Sequence, residues 1–158
     1  MEQISNRALI SRLFSSAEQR LNAIDYNSNN WRDWYSAVQD LTIPEKMVYV
    51  LVKLNQTVTN GGFSEFYESS VGIFAPEIIH ALNEIKADAS ANIVSSSLPI
   101  VNPLGHLDDE YKNFVFNIRL TQKQKVDLYA QDVLYDQLQG QENLEDLLGS
   151  YLQSFINQ

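Results

Sequence analysis

The chain has no cysteine. That absence excludes a disulfide framework, thiolate zinc sites and a cysteine nucleophile together. Histidine is almost as scarce, with only His80 and His106. No long apolar run occurs either. The longest, Met47 to Val52, is far short of the ~20 residues a membrane span needs. The opening Met-Glu-Gln-Ile-Ser-Asn-Arg lacks the basic-then-apolar plan of a signal peptide. A cytoplasmic protein without membrane contact is therefore expected. The most informative absence is of positive charge: no Lys or Arg occurs after Lys125.

What is present fits an ordinary globular chain. It has 158 residues, 44% apolar and 20% charged, enough to bury a core without metal or cross-links. A single helical domain spanning 1–158 is the expectation. Net charge is −9, from 11 basic and 20 acidic residues. Residues 1–125 hold all 11 bases and 14 acids, a net of −3; the remainder holds six acids, a net of −6. That balance speaks against direct nucleic-acid binding, which is dominated by the phosphate backbone. The six acids, Asp127, Asp132, Asp136, Glu142, Glu145 and Asp146, are either a solvated helical face or a surface offered to a basic partner.

Helical periodicity runs along the whole chain. Ile10, Leu13, Ala17, Leu21 and Ile24 recur at three- and four-residue steps, one stripe of an amphipathic helix. Asp25 to Asn30 is turn chemistry. Trp31, Trp34, Tyr35, Val38 and Leu41 mark a second helix, whose aromatics either pack on a core or line a ligand pocket. Thr42-Ile43-Pro44-Glu45 reads as a capping box, opening a helix apolar on nearly all sides from Met47 to Leu54. After Ala75-Pro76-Glu77 come a helix buried by Ile78, Ile79, Ala81, Leu82 and Ile85, and another from Ala89 to Val101. Residues 106–110 read as a polar loop, and 113–120 fit an extended segment and a helical turn equally well. Thr121 is expected to cap a helix through Leu138, with Val126, Tyr129, Val133 and Leu134 inward. A last helix carries Leu144, Leu147, Leu148, Tyr151, Leu152 and Phe155. The sum is an all-α bundle of seven or eight helices.

The organising stretch is Asn60-Gly61-Gly62-Phe63. Asn and Gly tolerate positive φ, so this corner can end one helix with a left-handed residue and reverse the chain tightly. Phe63, Phe66 and Tyr67 then share one face of the next turn. A branched residue at Gly61 is expected to unfold the protein by being forced into a left-handed turn. The pattern continues through Ser69-Ser70, Gly72 and Ala75-Pro76-Glu77 to Ala81-Leu82 and Ile85. Together with Val48-Tyr49-Val50-Leu51 and, more loosely, Leu147 to Leu152, it resembles the acidic bacterial family named for a DNA-mimic protein. Glu65 and Glu68 depart from that pattern, which carries Gln and Asn there. The resemblance implies an all-helical, non-enzymatic fold without a cofactor. For the member that gave the family its name, it implies a dimer whose carboxylates imitate DNA phosphates and occupy a DNA-binding protein.

Mimicry has a geometric basis. Phosphates repeat every ~3.4 Å along one strand of a duplex, and a helix advances ~5.4 Å per turn. Carboxylates at i, i+3 or i+4, such as Asp132 and Asp136 or Glu142, Glu145 and Asp146, form a ladder of coarsely similar pitch. With no basic residue interleaved, local ion pairs are not expected to neutralise it. The same face would suit an immunity or antitoxin-like protein that blocks a basic nuclease. The surplus of Tyr and Trp would serve a homodimer interface as readily as a core.

An enzymatic or metal-dependent activity has thinner support. Glu77, His80 and Glu84 share one helical face, and Glu-x-x-His is a di-iron spacing, but there is no second copy. His106 lies beside Asp108 and Asp109 in what reads as a solvated loop. Ser95-Ser96-Ser97 lacks the glycines of a nucleophile elbow, and Gly61-Gly62 lacks the spacing and lysine of a phosphate loop.

Overall fold

A computed structural model describes residues 4–23 and 30–157. Among these residues the secondary structure is eight α-helices and one 3-10 turn, with no strand. The expected inward Ile24 and residues 25–29 of the first turn lie outside the described residues.

Local sequence sets most helix starts. Ser5 accepts a hydrogen bond from the Ala8 N–H at the head of α1, Asn6–Asn22. Asn30 does the same for Arg32 at the head of α2, Trp31–Gln39. The capping box at Thr42 is formed: its hydroxyl accepts from the Glu45 N–H at 3.3 Å, and the Glu45 carboxylate accepts from the Thr42 N–H at 3.1 Å. That box opens α3, Ile43–Glu68. Glu45 is buried, and its other oxygen accepts from Ser16 at 2.6 Å with Arg20 at 3.4 Å. Burial works against its charge, but the hydrogen bonds from Ser16 and Thr42 and the Arg20 guanidinium outweigh it and hold the carboxyl below its ordinary value.

The first half of α3 is the axis of the core. Val48, Tyr49, Val50, Leu51 and Leu54 are all buried, and α1, α4 (Ala75–Glu84), α7 (Gln122–Leu138) and α8 (Leu144–Ile156) pack around the helix. Helix α5, Asp88–Val101, lies between α4 and α7. Trp31, Trp34 and Tyr35 are packing residues. Tyr35 stacks on Phe74 with ring centroids 5.7 Å apart, Trp34 meets the same ring edge-on at 4.9 Å, and the Trp31 indole N–H donates to Asn113 at 2.6 Å. No helix among the described residues is long and apolar enough to cross a membrane.

Two expectations need correction. Residues 106–110 are not simply a loop, because helix α6 starts inside them and runs Asp108–Val115. Its first turn carries Asp108, Asp109 and Glu110, which suit the positive end of a helix dipole. Tyr111 and Val115, four apart, anchor it in the core, with the Tyr111 hydroxyl donating to the Gly72 carbonyl at 2.6 Å. Residues 113–120 divide between the end of that helix and a connection in which Phe116 is extended and Asn117 is left-handed, with φ 63°.

Helix α7 departs furthest from its pattern. The capping box at Thr121 forms with Gln124, but the inward face is not the one periodicity selects. Leu128 and Tyr135 are buried, whereas Val126, Tyr129, Val133 and Leu134 are exposed. The inward stripe is Gln124, Leu128, Asp132 and Tyr135, spaced four, four and three. Its polar members all find partners: Gln124 donates to the Ile100 carbonyl at 3.1 Å, Asp132 accepts from Phe63, and the Tyr135 hydroxyl donates to Asn55 at 2.9 Å. A hydrogen-bonded polar group can be buried at little net cost. That is why a mixed stripe faces inward here and an apolar one faces out.

Candidate partner-binding surface and the glycine corner

The corner and the acidic segment meet at Asp132. Gly61 (φ −145°, ψ 17°) and Gly62 (φ 75°, ψ −174°) are non-helical, so α3 is two helical halves that meet at a kink between Asn60 and Phe63. The positive φ falls on Gly62. Gly61 lies outside the left-handed region, so the strain expected there belongs one residue later. A Cβ on Gly62 would lie 2.3 Å from the Asp132 carboxylate, which occupies that space. Asp132 Oδ1 accepts from the Phe63 N–H at 2.7 Å. A carboxylate from α7 thus caps the second half of α3, satisfying a donor that the kink strips of its helical acceptor. Burial raises the Asp132 carboxyl above its ordinary value, and the Phe63 N–H partly offsets this.

The rest of the motif locks the same region. Phe63, Phe66 and Tyr67 are fully buried, and Phe63 meets Tyr135 edge-on at 5.9 Å. The hydroxyls of Tyr67 and Ser97 share a hydrogen bond at 2.6 Å, and Ser97 donates to the Val94 carbonyl. Gly72 leaves room for the Tyr67 ring, which a Cβ there would strike at 2.4 Å. Pro76 stands in the first turn of α4. Both departures from the family pattern have partners. Glu65 accepts from the Asn60 amide across the kink at 2.8 Å. Glu68 accepts from the Leu120 N–H at 3.1 Å, with Lys125 at 3.7 Å.

The six C-terminal acids do not form an uninterrupted ladder. Besides Asp132, Glu142 is tied to the fold: its carboxylate accepts from the Ala89 and Ser90 N–H groups and the Ser90 hydroxyl, at 2.8–3.0 Å, capping α5 from outside. Asp127 pairs with Lys123 at 3.0 Å, and Glu145 pairs with Arg7 at 2.9 Å. Local ion pairs therefore do reach this segment, from one residue just before it and from one at the far end of the chain. Asp136 and Asp146 are exposed, with no side-chain partner among the described residues. Glu77, His80 and Glu84 do not converge on a metal. Glu77 accepts from the Tyr35 hydroxyl at 2.6 Å, and His80 lies 3.9 Å from Glu84. The described residues contain no group of three or more such ligands placed to hold an ion.

Sequence periodicity missed the outward apolar face of α7. The available signal was a second stripe, Leu128 and Tyr135, seven residues apart and opposite the first. The fold and this surface define an all-helical protein built around a kinked, carboxylate-capped glycine corner. The chain belongs to the DMP19-like protein family, whose sequence model matches residues 39–155. That span holds the corner and all six C-terminal acids, and it leaves out α1 with Arg7. No curated protein and no solved structure matches the chain.

Proposed function

We propose that this protein acts by binding a basic DNA-binding protein, with surface carboxylates standing where DNA phosphates would. Membership of a family named for DNA mimicry supports the reading. The observation that carries it is the charge distribution: six acids and no Lys or Arg after residue 125. Hydrogen bonding within the fold supports a smaller contact set. Asp132 and Glu142 are caps, so the carboxylates offered to a partner are Asp127, Asp136, Glu145 and Asp146. Their pairs with Lys123 and Arg7 are exposed, and such pairs hold so weakly that a cationic partner can displace them. Arginine side chains on the partner would engage the carboxylates by charge-assisted hydrogen bonds.

The test is capture from host lysate with wild type and with a variant carrying Asp127→Asn, Asp136→Asn, Glu145→Gln and Asp146→Asn. The caps Asp132 and Glu142 stay intact. Wild type is expected to retain a basic DNA-binding protein, to lose it as salt rises, and to be displaced by duplex DNA. A nuclease as the captured protein would point to the immunity-type reading. Equal capture by the neutralised variant, or indifference to competing duplex, would overturn the proposal.

A further inference from the structure

Helices α3 and α4 form the walls of a cleft of about 490 Å³, to which α8 contributes Tyr151. That volume is within the range of small-molecule sites, and the proposed protein contact uses none of its residues. Met47, Val50 and Ala81 are buried and give the cleft an apolar floor. The face of α4 that carries Glu77, His80 and Glu84 supplies its polar edge, and α3 adds Lys46.

The fold satisfies only half of Glu77. Its Oε1 accepts from the Tyr35 hydroxyl at 2.6 Å, while its Oε2 is buried without a hydrogen-bond partner among the described residues. A buried carboxylate oxygen left unpaired costs stability, and native folds keep few of them. The terminal torsion of a glutamate is soft, so a small turn can present Oε2 to the cleft while Oε1 keeps Tyr35. Gln39 Nε2 is unpartnered too, but Gln39 does not line the cleft, and its oxygen accepts from Lys46 Nζ.

We propose that the cleft binds a small primary amine with an apolar body, the ammonium donating to Glu77 and the hydrocarbon lying on the floor. The inference is independent of the proposed function. The lining selects this class over three others. A neutral apolar molecule would leave Glu77 Oε2 unpaired. An anion would meet two carboxylates and a single lysine, whose ammonium Gln39 already holds. A metal ion held by side chains needs several converging ligands, and no group of three or more exists among the described residues. An ammonium needs one charge-assisted hydrogen bond at a carboxylate, and Glu77 offers that bond. Glu84 lies two turns further on, about 10 Å along the helix, with His80 3.9 Å away. It therefore adds attraction at a distance and makes no second contact.

Calorimetric titration of the full chain with tryptamine at low salt tests the assignment. Tryptamine is expected to bind with Kd below ~1 mM and to shift the backbone amide NMR signals of α3 and α4 around the cleft. N-acetyltryptamine, which lacks the charge, and indole-3-propionate, which reverses it, are expected not to bind. Glu77→Gln should weaken tryptamine by at least about tenfold, with a circular dichroism melt as the check on folding. Glu84→Gln, at an exposed position, should weaken it about threefold, and less as salt rises. Glu110→Gln, at an exposed acid on α6, should leave it unchanged. No binding at millimolar tryptamine, equal binding of the acetylated form, or wild-type affinity in a folded Glu77→Gln protein would each overturn the inference. Should Glu77→Gln fail to fold, the Glu84→Gln and acetylated arms decide. Magnesium alone shifting the same amides and displacing tryptamine would also overturn it, in favour of a metal site.

Discussion

Helices α3 and α7 make an instructive pair. Both are long, both open with a threonine capping box, and both carry more apolar residues than one buried face requires. In α3 the surplus is buried because more helices pack on it: α1, α4, α7 and α8 all contact it along its length. Helix α7 packs mainly on α3 and α5. One side of it must therefore face water, and the side that does is the more apolar. The difference teaches that capping and apolar content make a helix, whereas the number and position of neighbours decide what it buries.

The largest expected effect breaks the contact between the two helices. Gly62→Val must place a branched residue at φ 75° and drive its Cβ into the Asp132 carboxylate. A loss of at least ~3 kcal/mol is expected, read as failure to fold or as a collapsed urea midpoint. Gly61→Ala sharpens the assignment. Its backbone is free of that strain, but a Cβ there would meet Glu65 Cβ at 2.8 Å, an atom that shifts only with the helix backbone, so ~1–3 kcal/mol is expected. A Gly62→Val protein with the wild-type midpoint would refute the corner's role.

Next in size is the contrast between the two faces of α7. Leu128→Ala should cost ~2–5 kcal/mol by opening a cavity against the core. Val133→Ala, measured in dilute solution, should stay within ~0.5 kcal/mol of wild type. Periodicity alone predicts the reverse order, so the pair of melts decides between pattern and structure.

A smaller loss than that at Leu128 concerns the cap. Asp132→Ala should cost ~1 kcal/mol by leaving the Phe63 N–H without its acceptor. Asp132→Asn keeps an oxygen acceptor and removes the ionisation. Because burial raises the folded-state carboxyl above its ordinary value, the unfolded chain gives up this proton first. The stability linked to this group is present in acid and is lost as pH rises through the folded value. The Asn variant should thus gain on wild type as pH rises across the carboxylate range and run parallel above it. Melts that run parallel throughout would show that partial burial does not raise the Asp132 carboxyl.

Much was legible in the chain before any coordinates. Local chemistry fixed the helix starts at Thr42 and Thr121, the break at Gly61-Gly62, the opening at Ala75-Pro76 and the all-α class, because a cap or a positive φ depends on residues within a turn of itself. Composition also settled the charge asymmetry, since no fold can place a lysine after residue 125. The kink-to-α7 capping bond was not legible, because it joins Phe63 to a residue sixty-nine positions away. Nor were the roles of the individual acids. Nothing local distinguishes Asp132 and Glu142, which hold backbone N–H groups, from Asp136 and Asp146, which face solvent. Only tertiary structure decided those roles and which stripe of α7 faces inward. Burial depends on which backbone donors, carbonyls and rings other helices bring alongside, and a carboxylate with a waiting N–H can go inside while four apolar side chains stay out.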